Sequence, residues 1–351
     1  MTKKRVTLKE VAARASVSYQ TVSKILNHQA QVTDSTRQRV LEAVRELGYT
    51  PSYTARSLRS QRSKTIGYTW EPSSLDQFNP ILDEFLRSMF ITAEERGYYL
   101  LCYPYYQDIE RQLETYRQLI DTGRVDAFVL SIINYNDPYV HYLLEQKFPF
   151  VGFGRLDDPP SFPNIDVDGG LGLHMAVEHL LSLGHHRIAA LVWPEDSRVG
   201  NSRMAGYYEA MNEIGVDVHP EWIKRGEGCY ATGFQAANQL LDLPDDIRPT
   251  GIVAMNDLMA IGAIAAIRQK GLRPGKDVAV TGFDDTPSAR YLTPPLTSLR
   301  QPISLIGRNL MERLITFLET GKYPEPFAEL VAPELVVRES TTGLEVPPAT
   351  S

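Results

Sequence analysis

Three side chains near the start of the chain, Tyr19, Gln20 and Lys24, are of the types that read the edges of DNA base pairs. A Gln amide can form two hydrogen bonds with adenine, a Lys ammonium can donate to guanine, and a Tyr offers a ring and a hydroxyl. Val22 and Ile25 are spaced to lie on the other face of the same helix. The pattern predicts an amphipathic recognition helix; the alternative reading is a helix face that meets only solvent.

Residues of the types that cap helices indicate that this helix is the second of three. Thr7 and Glu10 fit a capping box at the start of the first helix. Ser18 can cap the second helix and Thr33 the third, and Gly48 is suited to end the third. Two short helices separated by a tight turn and braced by a third form the helix-turn-helix plan. We therefore expect an all-α DNA-binding head.

The charge of the chain is divided between a basic start and an acidic remainder. Residues 1–64 contain 13 Lys and Arg against 4 Asp and Glu, whereas the other 287 residues contain 23 against 39. The net charge of −7 for the whole chain hides this contrast. Only the start of the chain is therefore expected to meet a polyanion such as DNA.

Composition and motifs exclude several other classes of protein. No run of 18 apolar residues is present to span a membrane, and the basic N-terminus is not followed by the apolar core of a secretory signal. Cys102 and Cys229 are too few for a disulfide framework or a cysteine zinc site, and His185-His186 lacks a further ligand at useful spacing. Enzyme motifs such as G-x-S-x-G or a P-loop are absent. We expect a cytoplasmic protein that is not an enzyme and that uses no cofactor or metal.

The segment that follows the head has two interpretations. Residues 51–62 are basic, and their apolar side chains are Tyr53, Ala55 and Leu58. A helix this short is marginal in water by itself. The segment is either a flexible linker or a hinge that folds only against DNA and inserts Leu58 into the minor groove. The local chemistry leaves both open.

Two stretches of the head and hinge resemble a known family. They are VTLKEVAARASVSYQTVSKILN and VTDSTRQRVLEAVRELGYTPSYTARSLRS, and they are similar to the lactose-repressor/galactose-repressor (LacI/GalR) family of bacterial transcription regulators. The resemblance implies a hinge helix in which Leu58 opens the central base step of a palindrome. The implied DNA contacts are Thr7, Ser18, Tyr19, Gln20, Thr21, Ser23, Lys24, Asn27, Thr36, Ala55 and Leu58.

The chain departs from the family pattern at two positions. Ser16 stands where the family usually has Gly in the turn between the first two helices, and Ser52 stands where the hinge often has Asn. Neither change removes a group that the resemblance assigns to base reading. The departure at Ser52 puts one contact of the hinge in doubt.

From residue 65 the pattern changes to short apolar runs that alternate with longer helical stretches. The expected strands are Ile66–Tyr68, Tyr99–Cys102, Ala127–Leu130, Phe150–Phe153, Ile188–Val192, Gly251–Ala254 and Val278–Thr281. The expected helices lie near Pro80–Arg96, Ile109–Thr122, Pro138–Gln146, Leu171–Leu183, Arg203–Ile214, Thr232–Leu241 and Leu258–Lys270. This alternation produces parallel sheets with helices on both faces, and the length favours two such lobes.

The family resemblance continues through VEHLLSLGHHRIA, MNDLMAIGAIAAIRQKGLRPGKDVAVTGFDDT and PPLTSLRQP. It implies an α/β core of two doubly wound parallel-sheet lobes, similar to periplasmic sugar-binding proteins, with the chain crossing between lobes near 161–165, 291–298 and 325–332. The predicted division is a helix-turn-helix head at 1–50, a hinge at 51–63, a first lobe at 64–163 with 296–328, a second lobe at 164–293 with 329–343, and a disordered tail at 344–351.

Ligands of open parallel sheets bind beyond the carboxyl ends of the strands. The side chains that follow the expected strands are Trp70, Tyr103, Tyr105, Tyr106, Arg155, Trp193, Asn256, Asp257, Asp284 and Asp285. Aromatic rings beside charged groups suit a sugar, because its ring face can stack while its hydroxyls bind Arg, Asp and Asn. The resemblance adds Arg203 and supports Asn256 and Asp284. The predicted effector contacts are Trp70, Arg155, Asp168, Trp193, Arg203, Asn256, Asp284 and Gln301.

Several of these residues also have structural interpretations. Asn256 and Asp257 can cap the following helix, and Asp285 suits a turn or an interlobe contact. Arg203 can form a structural ion pair, and Trp193 can belong to a core or an interface. Adjacent carboxylates on one loop need not face a common reacting atom, so a catalytic role for the pair at 284–285 is disfavoured.

The sequence predicts a ligand-responsive transcriptional repressor that binds a palindromic operator as a homodimer, because a single short recognition helix reads few bases. The expected effector is a sugar or oligosaccharide that releases the protein from DNA. One alternative keeps the DNA-binding role and replaces the effector with a purine-type corepressor. Another, a sugar-binding transport component, is opposed by the basic head and the missing secretory signal.

Overall fold

The computed structural model describes residues 6–26, 32–49, 62–70, 80–159 and 161–343. The chain divides into two compact units, and the boundary along the chain lies between Ser63 and Lys64. The predicted contacts Asn27, Ala55 and Leu58 lie outside the described residues, as do Ser52 and the tail. Within the described ranges, no helix has the length and apolar character needed to cross a membrane.

The first unit contains the three expected helices: α1 (Leu8–Ala15), α2 (Tyr19–Leu26) and α3 (Asp34–Leu47). The predicted caps are confirmed. Thr7 and Glu10 form a capping box, Thr33 accepts a hydrogen bond from the backbone of the first turn of α3, and Gly48 ends α3 in the left-handed region. Apolar residues from all three helices form one small core: Val11, Ala12, Ala15, Val22, Ile25, Val40 and Ala43.

Ser16 makes the turn between α1 and α2. Its φ of 54° lies in the left-handed region, and its backbone N–H donates to the carbonyls of Ala12 and Ala13. A residue with a Cβ is disfavoured there by about 1–2 kcal/mol relative to right-handed backbone. The turn therefore keeps the geometry of a helix-turn-helix without the Gly that such a φ favours.

We expect Ser16→Gly to stabilise the head by about 0.5–1 kcal/mol, because glycine adopts this φ without steric cost while losing more chain entropy on folding. Hydrogen exchange of the α1 and α2 amides in the full-length chain would measure the change. Ala13→Gly, at an exposed position inside α1, is the matched control and should accelerate exchange. Exchange in Ser16→Gly that is as fast as in the native chain would contradict the strain assigned to this turn.

The first lobe of the second unit is built on a six-stranded parallel sheet. Its strands are β1 (Thr65–Trp70), β2 (Tyr99–Pro104), β3 (Ala127–Leu130), β4 (Phe150–Phe153), β5 (Asn164–Val167) and β11 (Ala328–Val331). Their order across the sheet is β11-β5-β4-β3-β1-β2. The helices of this lobe are α4 (Pro80–Glu95), α5 (Ile109–Asp121), α6 (Pro138–Glu145) and α11 (Ile303–Thr320).

The second lobe repeats the plan with an antiparallel strand at one edge. Its strands are β6 (Ile188–Val192), β7 (Ile223–Arg225), β8 (Gly251–Ala254), β9 (Ala279–Asp284), β10 (Thr297–Arg300) and β12 (Glu334–Val336). The order is β12-β10-β9-β8-β6-β7, and β12 alone of the pairs in this sheet runs antiparallel to its neighbour. The helices are α7 (Gly169–Ser182), α8 (Arg198–Glu213), α9 (Tyr230–Leu241), α10 (Asp257–Gln269) and α12 (Glu339–Thr342), with short 3₁₀ turns at Pro220–Trp222 and Pro287–Arg290.

The predicted lobe boundaries need correction. Asn164–Val167 was expected to open the second lobe, but it is a strand of the first sheet; Thr297–Arg300 was expected in the first lobe, but it belongs to the second sheet. Ala328–Val331 pairs with β5 in the first sheet. Residues 329–331 therefore belong to the first lobe, although they were expected in the second. The chain thus crosses between lobes after β5, after β10 and between β11 and β12.

Polar side chains in the misassigned strands explain the error. Asn164 is buried and donates to the carbonyl of Phe162 at 2.8 Å. Thr297 and Ser298 are fully buried, and Ser298 donates to the carboxylate of Asp257 at 2.6 Å. Internal hydrogen bonds allow these residues to be buried, but they remove the apolar run by which a buried strand is read from sequence.

Candidate functional site

The exposed face of α2 carries the predicted base-reading side chains. Tyr19, Gln20 and Lys24 are exposed, Tyr19 with 53% of its surface accessible, while Val22 and Ile25 are buried beneath them. The side of α2 that is available to a partner is therefore the polar side. Its length and side chains suit the major groove of DNA.

Most of the hydroxyl groups among the predicted DNA contacts lie at helix starts. The hydroxyl of Ser18 accepts from the N–H of Thr21 at 3.1 Å and lies 2.9 Å from the Thr21 hydroxyl. The hydroxyl of Thr36, in the first turn of α3, lies 2.9 Å from that of Thr33. Thr7 caps α1, and Ser23 is half-buried on α2. Backbone N–H groups at a helix start attract anions, so these positions suit phosphate contacts.

A cavity of about 380 Å³ lies between the two lobes of the second unit, at the carboxyl ends of their strands. We call it the inner chamber. Five of the eight predicted effector contacts line it: Trp193, Arg203, Asn256, Asp284 and Gln301. Its other polar groups include Asp166, Glu227, Asp257 and Thr286. The strand-end rule and the family resemblance therefore lead to the same chamber.

Arg203 is the central cation of the inner chamber. It is only 4% exposed, and its guanidinium carbon lies 3.5 Å from the ring centre of Phe283 and 4.8 Å from that of Trp193. One terminal nitrogen donates to the carbonyl of Met255, whereas Nε has no hydrogen-bond partner among the described residues. Burial lowers the pKa of Arg203 to about 10, so the side chain remains charged at neutral pH.

Glycines make room for Arg203 where α7 meets α8. A Cβ on Gly169 would lie 2.8 Å from Cγ of Arg203, and a Cβ on Gly206 would lie 1.8 Å from the carbonyl oxygen of Gly170. The two helices therefore approach so closely that only glycine fits. This packing fixes the depth at which the guanidinium enters the chamber.

Asp284 is held in an unusual backbone conformation at the end of β9. Its φ is 119°, and its carboxylate accepts a 2.7 Å hydrogen bond from Nε2 of Gln301. Burial raises the pKa of Asp284 to about 8, while the charge of Arg203 opposes the rise and that of Asp257 adds to it. Strained backbone of this kind is characteristic of functional sites. Because its pKa is about 8, the carboxyl group of Asp284 can gain or lose a proton near neutral pH.

Asn256 adopts the structural role that the sequence left open. Its Oδ1 accepts from the N–H of Met259 at 2.9 Å, which caps α10, and its Nδ2 donates to the carbonyl of Gly228 at 2.7 Å. Asp257 is likewise engaged, accepting from Thr286 at 2.7 Å and 2.9 Å and from the Ser298 hydroxyl. Both side chains line the chamber, but their hydrogen bonds within the protein hold the chamber in shape.

Trp193 contributes a ring and an unused donor. It is half-buried, and its Nε1 is buried without a hydrogen-bond partner in the described part of the chain. Together with Nε of Arg203, it gives the chamber two buried donors that no group of the described residues satisfies. Buried donors are normally paired, so this pair is suited to oxygen atoms of a ligand.

Three predicted contacts are not brought into the chamber. Trp70, at the end of β1, lines neither of the two interlobe cavities. Arg155 donates to Asp166 at 2.9 Å, and Asp168 caps α7 by accepting from the N–H of Leu171 at 2.9 Å. Arg155 and Asp168 follow strands, as predicted, but their side chains bind the protein's own polar groups.

The remaining candidates from the strand ends also have structural partners. Asp285 has a φ of 48° and accepts hydrogen bonds from Arg300 at 2.8 Å and from Arg338 at 2.6 Å, which fits the predicted turn role. Tyr103 packs edge-on against Tyr116, with ring centres 6.0 Å apart. Tyr106 lies under the guanidinium of Arg111 at 3.8 Å.

Sequence reasoning missed Arg198, which connects the two lobes. It is 2% exposed at the start of α8; its Nη2 donates to Asp166 of the first lobe at 2.9 Å, and its backbone N–H donates to Oδ1 of Asn134 at 2.9 Å. A cation in the first turn of a helix opposes the helix dipole. That conflict, directly after the cap at Ser197, was the available signal.

A second interlobe cavity of about 530 Å³ adjoins the inner chamber. We call it the outer chamber. It lies beyond the ends of β1 and β3, and Arg198 forms part of its wall. Of the tyrosines that follow β2, Tyr105 lines this cavity.

The titration of Asp284 gives the second unit a pH-dependent stability. Its raised pKa means that the folded chain holds more protons than the unfolded chain between about pH 4 and 8, so stability falls as pH rises. We expect Asp284→Asn to reduce this decline, by less than about 1.4 kcal/mol per pH unit. Urea unfolding at several values from pH 5 to 8.5 would measure the slope.

Asp277→Asn serves as the control for that experiment. The hydrogen bonds from Arg273 lower the pKa of Asp277 to about 2, so it does not titrate over this interval. The slope of this variant should equal that of the native chain. Equal slopes for the native chain and Asp284→Asn would instead show that Asp284 is ionised in the folded chain at every pH tested.

Family models match both units of the chain. Residues 7–52 match bacterial regulatory proteins of the lacI family, and residues 177–341 match a periplasmic binding protein-like domain. The HTH-type transcriptional regulator CelR of Thermobifida fusca is 33% identical over 344 residues, which cover 96% of this chain and 99% of CelR. The HTH-type transcriptional repressor PurR of Escherichia coli is 32% identical over 336 residues, covering 95% and 96% of the two chains.

Solved structures give the same picture. A complex of the regulator CelR with cellobiose has a TM-score of 0.71 and 32% identity, covering 96% of this chain and all of the other. The lac repressor dimer bound to operator and the anti-inducer ONPF has a TM-score of 0.82 and 29% identity, covering 96% and 99%. The similarity therefore extends over the head and both lobes.

Proposed function

Because this chain belongs to the lacI family of bacterial regulatory proteins, we propose that it represses transcription by binding a palindromic operator as a homodimer and that a sugar or oligosaccharide in the inner chamber releases it. It acts on DNA and carries out no reaction of its own. Its place of action is the cytoplasm, where operator DNA is accessible. The proposed partners are an operator DNA, which the protein binds, and a small-molecule effector, which controls that binding.

The DNA-binding part of the proposal depends on α2. Tyr19, Gln20 and Lys24 are exposed on one face of a helix that buried apolar residues anchor from the other side. Eight residues of helix can contact only a few base pairs, so two heads related by two-fold symmetry are needed for a specific site. The lac repressor, at 29% identity, is solved as a dimer on operator DNA. The excess of positive charge in residues 1–64 supports phosphate binding.

The observation that carries the effector proposal is the environment of Arg203. A buried guanidinium between two aromatic rings, with an unpaired Nε, lies in a cavity together with the carboxyl group of Asp284. A sugar offers vicinal hydroxyls that accept from Arg203 and donate to Asp284, and an apolar ring face that can pack on Trp193. The solved complex of CelR with cellobiose, at 32% identity, supports this choice.

A purine-type corepressor is the alternative, because Trp193 and Arg203 would also stack on and bind a nucleobase. The carboxyl groups of Asp284 and Glu227 at the chamber favour a ligand with many donors. A sugar has more donors than a purine base. The chemistry therefore favours the sugar, and a ligand panel separates the two classes.

The effector would control DNA binding through the arrangement of the lobes. Residues of both lobes, such as Phe153 and Asp166 from the first and Arg203 and Asp284 from the second, line the inner chamber. A ligand that contacts both lobes binds best to one arrangement and so shifts the population toward it. A coupling of about 1–3 kcal/mol would change operator affinity by about 5- to 150-fold.

Selection of operators from random double-stranded DNA by the full-length chain should yield a palindrome. We expect Gln20→Ala to relax the base preference at one position of each half-site, at a cost of about 1–3 kcal/mol, because the bidentate contact is lost. Binding to random DNA should be nearly unchanged. Gln38→Ala, at an exposed position on α3, is the control. An unchanged half-site preference for Gln20→Ala would contradict the recognition role of α2.

Thermal unfolding with a panel of neutral monosaccharides, oligosaccharides and purine bases tests the effector site. We expect sugars to raise the Tm, and Arg203→Lys to bind the best of them about tenfold or more weakly. Lys keeps the charge but loses the planar stacked cation and the Nε donor. Operator binding without effector should persist in this variant.

Arg117→Lys, at an exposed position on α5, is the matched control and should bind effector normally. If purines alone raise the Tm, the effector is a purine-type corepressor and not a sugar. Native effector affinity in Arg203→Lys would contradict the role given to Arg203.

A further inference from the structure

The inner and outer chambers adjoin each other and share part of their lining. Five residues belong to the walls of both: Leu82, Ile132, Ile133, Trp193 and Val199. The two volumes, about 380 Å³ and about 530 Å³, are each within the range of small-molecule sites. A ligand held at Arg203 therefore has room to extend past Trp193 into the outer chamber.

The outer chamber is walled by aromatic rings that the protein holds in place. Its rings are Tyr68, Tyr105, Tyr116, Tyr135, Tyr139 and Trp193. The hydroxyl of Tyr68 lies 3.2 Å from that of Ser131, and the hydroxyl of Tyr116 lies 3.2 Å from that of Thr69. The rings of Tyr116 and Tyr139 pack edge to face, with their centres 5.6 Å apart. Tyr68 and Tyr116 are only 1% exposed, so these packed rings form the back of the wall and do not themselves stack on a ligand.

Part of this aromatic wall is open to a ligand. Tyr105 is 38% exposed and Tyr135 is 44% exposed, and the exposed Gln107 and Asn134 add polar groups beside them. The combination of ring faces and neutral amides matches the two surfaces of a sugar ring. The inner chamber differs in that the charged groups of Asp166, Arg203, Glu227, Asp257 and Asp284 form part of its wall.

The charges at the outer chamber are already matched within the protein. Arg198 pairs with Asp166 at 2.9 Å and with Asp157 at 3.4 Å. Asp137 caps α6 by accepting from the N–H groups of Tyr139 and Val140. A phosphate or other anion would meet the Asp137 carboxylate, and the described residues that line the chamber offer no uncommitted cation to bind it. The chamber therefore suits a neutral group.

We propose that the outer chamber is a second sugar subsite: it binds the next glycosyl unit of an effector whose first unit occupies the inner chamber. The effector is thus a neutral disaccharide or longer oligosaccharide. This inference rests on the proposed function. It adds that Tyr105 and Tyr135 distinguish an oligosaccharide from its component monosaccharide.

Calorimetric titration of the full-length protein tests the subsite. The probes are glucose, galactose, mannose and xylose; their disaccharides cellobiose, maltose, lactose, mannobiose and xylobiose; cellotriose; and the nucleoside adenosine. We expect the best disaccharide to bind about tenfold or more tightly than its monosaccharides. Two variants examine the outer chamber: Tyr105→Ala removes a stacking ring, and Gln107→Trp fills space. Tyr291→Ala, 84% exposed and in neither cavity, is the control.

Tyr105→Ala should weaken disaccharide binding by about 3- to 10-fold, and Gln107→Trp should remove most of the disaccharide advantage, while monosaccharide binding stays unchanged in both. Equal affinities for mono- and disaccharide in the native chain, or equal losses for both ligands in the variants, would overturn the second subsite and leave the sugar response intact. Binding of adenosine alone, or of no sugar, would contradict the proposed function itself, and this inference with it.

Discussion

A buried cation needs oxygen atoms around it, and at Arg203 the protein supplies only part of them. The guanidinium packs between Phe283 and Trp193 and reaches one backbone carbonyl, while Nε has no partner in the described chain. Taking a charge out of water is costly unless hydrogen bonds compensate. The close approach of α7 and α8 at Gly169 and the strained backbone of Asp284 maintain this arrangement. In the proposed function, a ligand in the inner chamber completes this shell of oxygens.

The same region joins the lobes, so binding and lobe arrangement cannot be separated. Asp166 of the first lobe lines the inner chamber and accepts hydrogen bonds from both Arg155 and the buried Arg198. Breaking a buried pair by moving one partner leaves a charge unsatisfied. A change in the arrangement of the lobes would therefore have an energetic cost at this pair. In the proposed function, an effector that contacts Arg203 and the first-lobe wall together favours one arrangement of the lobes, which is the physical basis for a ligand-controlled repressor.

Local signals in the sequence predicted most of the elements and part of the site. Caps and apolar periodicity identified the head helices, and the rule for strand ends led to Trp193 and Asp284. The rule could not reveal side-chain direction, so Trp70, Arg155 and Asp168 were expected in a chamber that they do not line. Buried polar strands such as Thr297–Arg300 carry no apolar pattern, because their stability comes from hydrogen bonds with residues distant in sequence. Arg198 was missed for the same reason: its partners lie in another lobe.

The most direct test of the account is the linkage between effector and operator. Fluorescence anisotropy of a labelled operator, titrated with full-length protein with and without a saturating oligosaccharide, gives the ratio of the two operator affinities. Calorimetry of the oligosaccharide with free and operator-bound protein gives the ratio of the two effector affinities. We predict that both ratios differ from one by the same factor, about 5- to 150-fold, because coupling is reciprocal. An operator affinity that no cleft ligand changes would contradict the account.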